Sequence, residues 1–300
     1  MTDIGYILAA SAARHLPYWM SDALAVAVAD LCILSRPART RAVDRRLRRV
    51  WAESGGVGPV PTAQETHRAF ARALRDFLAA DARARKVPRV RLDEEARAIL
   101  RDARASGRST VLVSGHFGPW EVALQWLARE VGSVDALARV HRLSAVERFF
   151  AARRAAFGVR TLSAGRPTSA ALARLRAGGW IAALADRGAR RRPHSIGVGA
   201  HPNGLGLVRV DPAPLLLARR ASAQVLAGVA WRAPDGAVEV RFQPAFSLEP
   251  CGGGIALPQA EARLQRFFDA HVRAHPTQWF DWGPWPAAHT AAPAGESSEG

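Results

Sequence analysis

The chain has 300 residues, 49% of them hydrophobic, enough for one sizeable domain with a proper core and a helical extension. Its formal net charge of +16 is carried almost wholly by arginine, Lys86 being the only lysine, and predicts attraction to anionic partners: lipid headgroups, acidic carrier proteins, phosphorylated substrates or nucleic acid. Cys32 and Cys251 make neither a disulfide framework nor a zinc pattern, no segment reaches the ~20 apolar residues of a transmembrane helix, and the N-terminus lacks the basic stretch of a signal peptide.

Residues 1–50 read as helical. Ile4 to Ala13 is apolar and small, His15-Leu16-Pro17 interrupts it, and Ala23 to Leu34 resumes the run with Asp30 inside. Two short apolar helices followed by Arg36, Arg39, Arg41, Arg45, Arg46, Arg48 and Arg49 predict an interfacial anchor. Its apolar faces would dip into a bilayer while the arginines meet anionic headgroups. The plainer reading is a helical hairpin with a solvated basic face.

A loop rich in Gly and Pro, Ser54 to Pro61, separates this part from the rest. Thr62 and Glu65 form a capping pattern for a helix that buries Phe70, Leu74, Phe77 and Leu78 and runs to about Arg85. Leu92 to Ser106 reads as a helix closed by Gly107. Strands and helices then alternate: strands at 109–113, 134–139, 159–162 and 180–185, helices at 119–130, 144–157 and 167–177. A helix at 212–220, strands at 224–231 and 237–243 and a helix from Pro258 to Ala274 complete the pattern. Such alternation predicts an α/β sheet with crossover helices over residues 62–286, followed by a disordered tail at 287–300.

The stretch Ser114-Gly115-His116-Phe117-Gly118-Pro119-Trp120-Glu121 sits where a strand gives way to a helix. Neutral histidine takes a proton from a hydroxyl near pH 7, because its ordinary pKa is about 6.5. A carboxylate beside it, here Glu121, can hold the ring in one tautomer and favour the imidazolium of the transition state. That is the logic of an acyl transfer whose nucleophile is the acceptor hydroxyl. Gly115 and Gly118 permit positive φ or close backbone approach, and Pro119 suits a first helical turn. Free N–H groups at the helix start would steady an oxyanion or a phosphate. A His-x4-Glu pair also arises often by chance, as surface residues or a satisfied core histidine.

Arg139 ends a strand on the same edge as His116, where open α/β sheets bind ligands, and Asp186-Arg187 close another. Asp186 there can bind the acceptor, assist His116 or pair with Arg139 or Arg154; a purely structural ion pair is equally open for each. Arg187, Arg190, Arg191 and Arg192 with His194 make a basic rim suited to a phosphate or a carrier protein, or simply a solvated loop. No histidine pair has metal-ligand spacing, and there is no Gly-x-Ser-x-Gly elbow, P-loop or dinucleotide fingerprint, so no metal or cofactor is expected. Trp279, Trp282 and Trp285 cluster near the end, first as core packing and second as an interfacial aromatic belt.

Taken together these segments resemble the bacterial lipid A biosynthesis acyltransferases of the lauroyl- and myristoyl-transferase type, and the related mycobacterial acyltransferases of phosphatidylinositol mannosides, over roughly residues 1–286. The family's His-x4-Asp/Glu is matched by His116 and Glu121, its strand-final arginine by Arg139, and its arginine four residues before a glycine by Arg154 and Gly158. Asp186 matches a strand-final aspartate, although many members follow it with glutamine where this chain has Arg187. Leu217-Ala218-Arg219-Arg220 and the Pro-x-Gln-aromatic-x-x-Trp run from Pro276 to Trp282 match two later segments.

The resemblance implies a mixed sheet flanked by helices, of glycerol-3-phosphate-acyltransferase-like type, preceded by membrane-associating helices. It implies an O-acyltransferase at the cytoplasmic face of a bacterial inner membrane, peripheral to it. Acyl carrier protein or coenzyme A would supply the acyl group as thioester substrate, and a glycolipid such as a lipid A precursor would accept it. His116 and Glu121 would be catalytic, with Arg139, Arg154, Asp186 and Arg187 contacting substrate. A nearer rival keeps this chemistry and changes the acceptor to a lysophospholipid, a phosphatidylinositol mannoside or a lipid-like natural product. A rival of another class is a non-catalytic basic protein that binds membrane or nucleic acid. The aromatics are not interleaved with arginines as single-strand binders require, which argues against nucleic acid.

Overall fold

The computed structural model describes residues 3–80, 88–138, 144–163, 168–186 and 207–282. Three helices come first: α1 (Asp3–His15), α2 (Tyr18–Ser35) and α3 (Pro37–Glu53). Pro17 separates the first two, and Pro37 opens the third at a position where its missing N–H costs nothing. At 18 residues, α2 is long and apolar enough to cross a membrane by length and composition. That departs from the expectation that no segment qualifies, because Tyr18-Trp19-Met20 extends the helix N-terminally beyond the apolar run at Ala23.

Helix α4 (Ala63–Ala79) opens with the expected capping box: Thr62 Oγ1 accepts from Glu65 N, and the Glu65 carboxylate accepts from Thr62 N at 2.7 Å. Phe77 and Leu78 are buried on its inner face, with Phe70 and Leu74 partly covered. Beyond it the described elements are β1 (Val90–Arg91), α5 (Glu94–Ala105), β2 (Thr110–Ser114), α6 (Trp120–Val131), β3 (Val134–Ala138) and α7 (Ser144–Ala155). They continue with β4 (Val159–Ser163), α8 (Thr168–Arg176), β5 (Trp180–Leu184), α9 (Ala213–Arg220), β6 (Gln224–Arg232), β7 (Val238–Phe246) and α10 (Leu257–Ala274). The two-residue β1 is the element the sequence reading lacked, being too short to display any alternation.

The described strands form one sheet in the order β1-β7-β6-β2-β5-β3-β4. All neighbours run parallel except β6 and β7, which pair antiparallel, so the sheet is mixed. Helices cover both faces. Leu215 and Ala218 of α9 and Leu264 and Phe268 of α10 pack on one side with Val111 and Val113. Ile99 and Leu100 of α5 and Val122 and Leu127 of α6 pack on the other with Leu112. Strands buried on both faces read as continuous apolar runs, which is why Thr110 to Val113 carries no polar alternation.

Strand β2 lies between β6 and β5, and Ser114 stands opposite Leu184 in parallel register. His116 and Asp186 each follow that pair by two residues, so the register alone delivers both to the same carboxyl edge. The N-terminal helices belong to the same packed body: Val50 of α3 is in the main core, and Val43 and Leu47 pack with Ala63 and Trp282. Asp22 of α2 pairs with Arg72 and Arg75 of α4 at 3.0 Å each, and Asp30 pairs with Arg68 at 2.7 Å. These contacts lay α2 along α4 and turn Trp19, Leu24, Val28, Leu31 and Leu34 outward to solvent.

Candidate active site

The His116 loop is shaped by two glycines. A Cβ on Gly115 would lie 2.4 Å from the Phe117 ring and 2.9 Å from Asp186 Cβ, so a side chain there would push apart the residues the site needs close. Gly118 has φ +47°, and a Cβ on it would lie 2.6 Å from the Ala230 carbonyl oxygen. The backbone of the loop is pinned from outside: Gly118 N donates to Gln278 O at 2.7 Å, Phe280 N donates to His116 O at 2.9 Å, and Phe117 bridges Trp279 antiparallel.

His116 Nδ1 lies 2.8 Å from Asp186 Oδ1. The other oxygen, Oδ2, accepts from Trp279 Nε1 at 3.0 Å. The Asp186 side chain is wholly covered, whereas one fifth of the His116 side chain remains exposed. Burial pushes the Asp186 carboxyl upward, but the attraction of His116 and the hydrogen bonds from His116 and Trp279 outweigh it and hold the group below the ordinary carboxylate range. An ionised Asp186 fixes the proton of a neutral ring on Nδ1 and leaves Nε2 with its lone pair, the tautomer a general base requires.

The expected partnership of His116 with Glu121 takes a different form. Glu121, in the first turn of α6, is bound by two nitrogens of Arg154 near the end of α7: Nε to Oε2 at 3.0 Å and a second, shorter contact from Nη2 to Oε1. Both side chains are nearly covered. Burial lowers the Arg154 guanidinium, and the hydrogen bonds and attraction of Glu121 more than compensate, so the guanidinium is held above its ordinary range. The carboxylate on the imidazole is Asp186, so of the roles open to that aspartate the structure shows the one that assists His116. Two N–H groups of the α6 start are also committed locally, Trp120 N to Gly118 O and Val122 N to Pro119 O.

Arg139 and Arg187 lie outside the described residues, as do the basic rim at 190–192, His194 and the tail at 287–300. Arg46 departs from the role drawn for it: grouped with the headgroup-facing arginines, it is instead buried, its side chain turned inward to the carbonyls of Trp279 and Asp281. Trp279 packs in the core as expected, and its indole nitrogen adds a contact that the spacing of tryptophans does not signal. Trp120, Phe70, Phe280 and Trp282 form an aromatic wall behind the imidazole, with the His116 and Trp120 rings 5.4 Å apart.

A cleft of about 530 Å³ lies beyond Pro119, lined in part by Tyr18, Arg68, Arg72, Arg232 and Gln278. Its arginines are already paired, with Asp30, Asp22 and Asp76, so the cleft is close to charge-balanced. Among the described residues no group of three or more His, Cys, Asp or Glu side chains has the arrangement of a metal site.

The site is thus an imidazole held by a buried carboxylate at the carboxyl edge of an α/β sheet, where such sheets bind their ligands. The sequence makes the class specific: residues 2–282 match the model of the bacterial lipid A biosynthesis acyltransferases, and the chain belongs to that family of acyltransferases. No curated protein matches the chain. Among solved structures it is similar to the crystal structure of the 1-acyl-sn-glycerophosphate (LPA) acyltransferase, PlsC, from Thermotoga maritima. The identity is 12% and the TM-score 0.39, over 85% of this chain and 98% of that one.

Proposed function

We propose that this protein is a membrane-associated O-acyltransferase that moves a fatty acyl group from a thioester of acyl carrier protein or coenzyme A to a hydroxyl of a glycolipid such as a lipid A precursor. The observation that carries the reading is the hydrogen bond of His116 Nδ1 to the buried carboxylate of Asp186. His116 Nε2 takes the proton of the acceptor hydroxyl as its oxygen attacks the thioester carbonyl. The tetrahedral intermediate collapses, the C–S bond breaks, and the departing thiolate receives the proton held on Nε2. Ester and free thiol result, and the imidazole returns to its starting tautomer.

Asp186 stabilises the imidazolium while it lasts, and the Glu121–Arg154 pair fixes the start of α6 behind the base loop. Arg139 and Arg187 are assigned to substrate contacts at the same edge, on their place in the sequence. The net charge of +16 suits an anionic membrane and an acidic carrier protein. The outward apolar face of α2, with Trp19, Leu31 and Leu34 exposed, suits a peripheral seat in the lipid interface, on the cytoplasmic side of the inner membrane where the thioester donors are made.

The test is acyl transfer by purified protein, with labelled acyl-carrier-protein and acyl-coenzyme A donors and total membrane lipids as acceptors. A labelled lipid that forms with wild type and disappears with His116→Ala establishes the chemistry and names the acceptor. Absence of transfer from either donor, with lipid binding unaffected by the mutation, would favour a non-catalytic membrane-binding protein.

A further inference from the structure

A buried carboxylate has two oxygens to satisfy, and an oxygen left without a partner in the interior is costly. On Asp186 one oxygen serves His116 and the other takes Trp279 Nε1. An indole nitrogen is a donor only and does not titrate, so it holds the carboxylate without competing for the proton of the imidazole. Trp279 is 2% exposed and carries a second connection to the base, because its segment also pins the His116 loop through Phe280 N and Gln278 O.

Trp279 is in turn held by Arg46 of α3. This side chain is 4% exposed, donates to Trp279 O at 3.0 Å and, more closely, to Asp281 O, and lies over the indole with Cζ 4.9 Å from the ring centroid. Burial lowers the guanidinium to about 10, against the attraction of Asp281 and Asp186, so it is charged at neutral pH. A planar fork that binds two carbonyls and stacks on a ring is a task that lysine cannot reproduce. The chain of contacts from Arg46 through Trp279 and Asp186 to His116 joins the N-terminal helices to the base.

We propose that Trp279 and Arg46 are positioning residues for His116: the indole fixes the orientation of Asp186, and Arg46 fixes the indole. The inference rests on the reading of His116 as the base. Trp279→Phe keeps the apolar ring and removes the donor. It should lower kcat about 10- to 100-fold with KM nearly unchanged, since small displacements at a reacting centre cost up to about 10²-fold. With one donor gone the carboxylate draws harder on the imidazole, so the acid limb of the pH–rate profile moves to higher pH. Arg46→Lys should produce a smaller loss with the limb moved the same way.

Two readings separate this from simple packing. A calorimetric scan of each variant establishes that it is folded, and the pH dependence of His116 carbethoxylation by diethyl pyrocarbonate, followed by peptide mapping, reports on the imidazole without substrate. Both the carbethoxylation midpoint and the acid limb should move upward in folded Trp279→Phe, with Arg46→Lys between it and wild type. If wild type transfers acyl groups and both variants lose rate evenly across pH with an unmoved midpoint, the positioning role is overturned. If Trp279→Phe does not fold, the same two outcomes are read on Arg46→Lys. A moved midpoint in a protein whose wild type transfers nothing would keep the positioning and overturn the acyltransfer reading instead.

Discussion

The two carboxylates of the site differ in how they are delivered. Glu121 lies five residues from His116 in the chain, yet its oxygens are held by Arg154 of α7. Asp186 lies 70 residues away, yet its oxygen is on the imidazole. Closeness in sequence across a strand-to-helix turn sends the Glu121 side chain off with the helix, where a neighbouring helix captures it. Parallel register between β2 and β5 brings His116 and Asp186 to one edge because each sits the same two residues past a paired position. A short motif therefore locates the imidazole and its loop, while the sheet decides which carboxylate meets it.

The largest effects should follow from breaking the register-delivered pair. Asp186→Asn presents an amide that no longer fixes the proton on Nδ1, and the rate of acyl transfer should fall about 10³-fold, comparable with His116→Ala. Initial rates at saturating donor measure this. Glu121→Gln should instead be felt chiefly in stability. It leaves a buried Arg154 without its counter-charge, at a cost of about 3–5 kcal/mol in denaturant unfolding, with a smaller loss of rate than Asp186→Asn at a temperature where both are folded. Replacing Glu121 and Arg154 together by leucine should recover much of that stability.

The Asp186 carboxyl is held below its ordinary value in the folded state, so its contribution to stability is complete above the unfolded value of about 4 and is lost as pH falls through the folded value. The gap in melting temperature between wild type and Asp186→Asn should therefore narrow once pH falls below the unfolded value of about 4. A gap that keeps widening below about pH 4 would mean that the folded protein prefers the protonated acid. The smallest effect lies farthest from the site. Leu31→Ser with Leu34→Ser on the outward face of α2 should weaken binding to anionic vesicles about tenfold and leave folding stability within about 0.5 kcal/mol, as co-sedimentation and thermal melts would report.

Much of this was legible in the sequence, and the exceptions have physical causes. The alternation from Thr110 to Leu184 marks the strands because parallel strands covered on both sides must be apolar throughout. Thr62 and Glu65 mark the start of α4 because a capping box is local chemistry. The glycines flanking His116 mark the loop because only they fit against Asp186 and Ala230. What depends on tertiary placement was not legible. The strand order that pairs β2 with β5 cannot be read from either strand, so the sequence assigns the imidazole to nearby Glu121 and leaves Asp186 as one option among several. Arg46 is one of many arginines in its segment, and its inward turn follows from where the C-terminal segment crosses α3. Trp279 reads as core from its apolar neighbours, whereas its nitrogen matters only beside a carboxylate contributed from β5.

Nuclear magnetic resonance of protein with ¹⁵N-labelled histidine, following the His116 ring nitrogens in wild type, Asp186→Asn and Glu121→Gln, distinguishes an imidazole held by Asp186 from one held by Glu121. The structure predicts a proton held on Nδ1 in wild type, lost or exchanging rapidly in Asp186→Asn and retained in Glu121→Gln. A ring unaffected by Asp186→Asn and released by Glu121→Gln would contradict it.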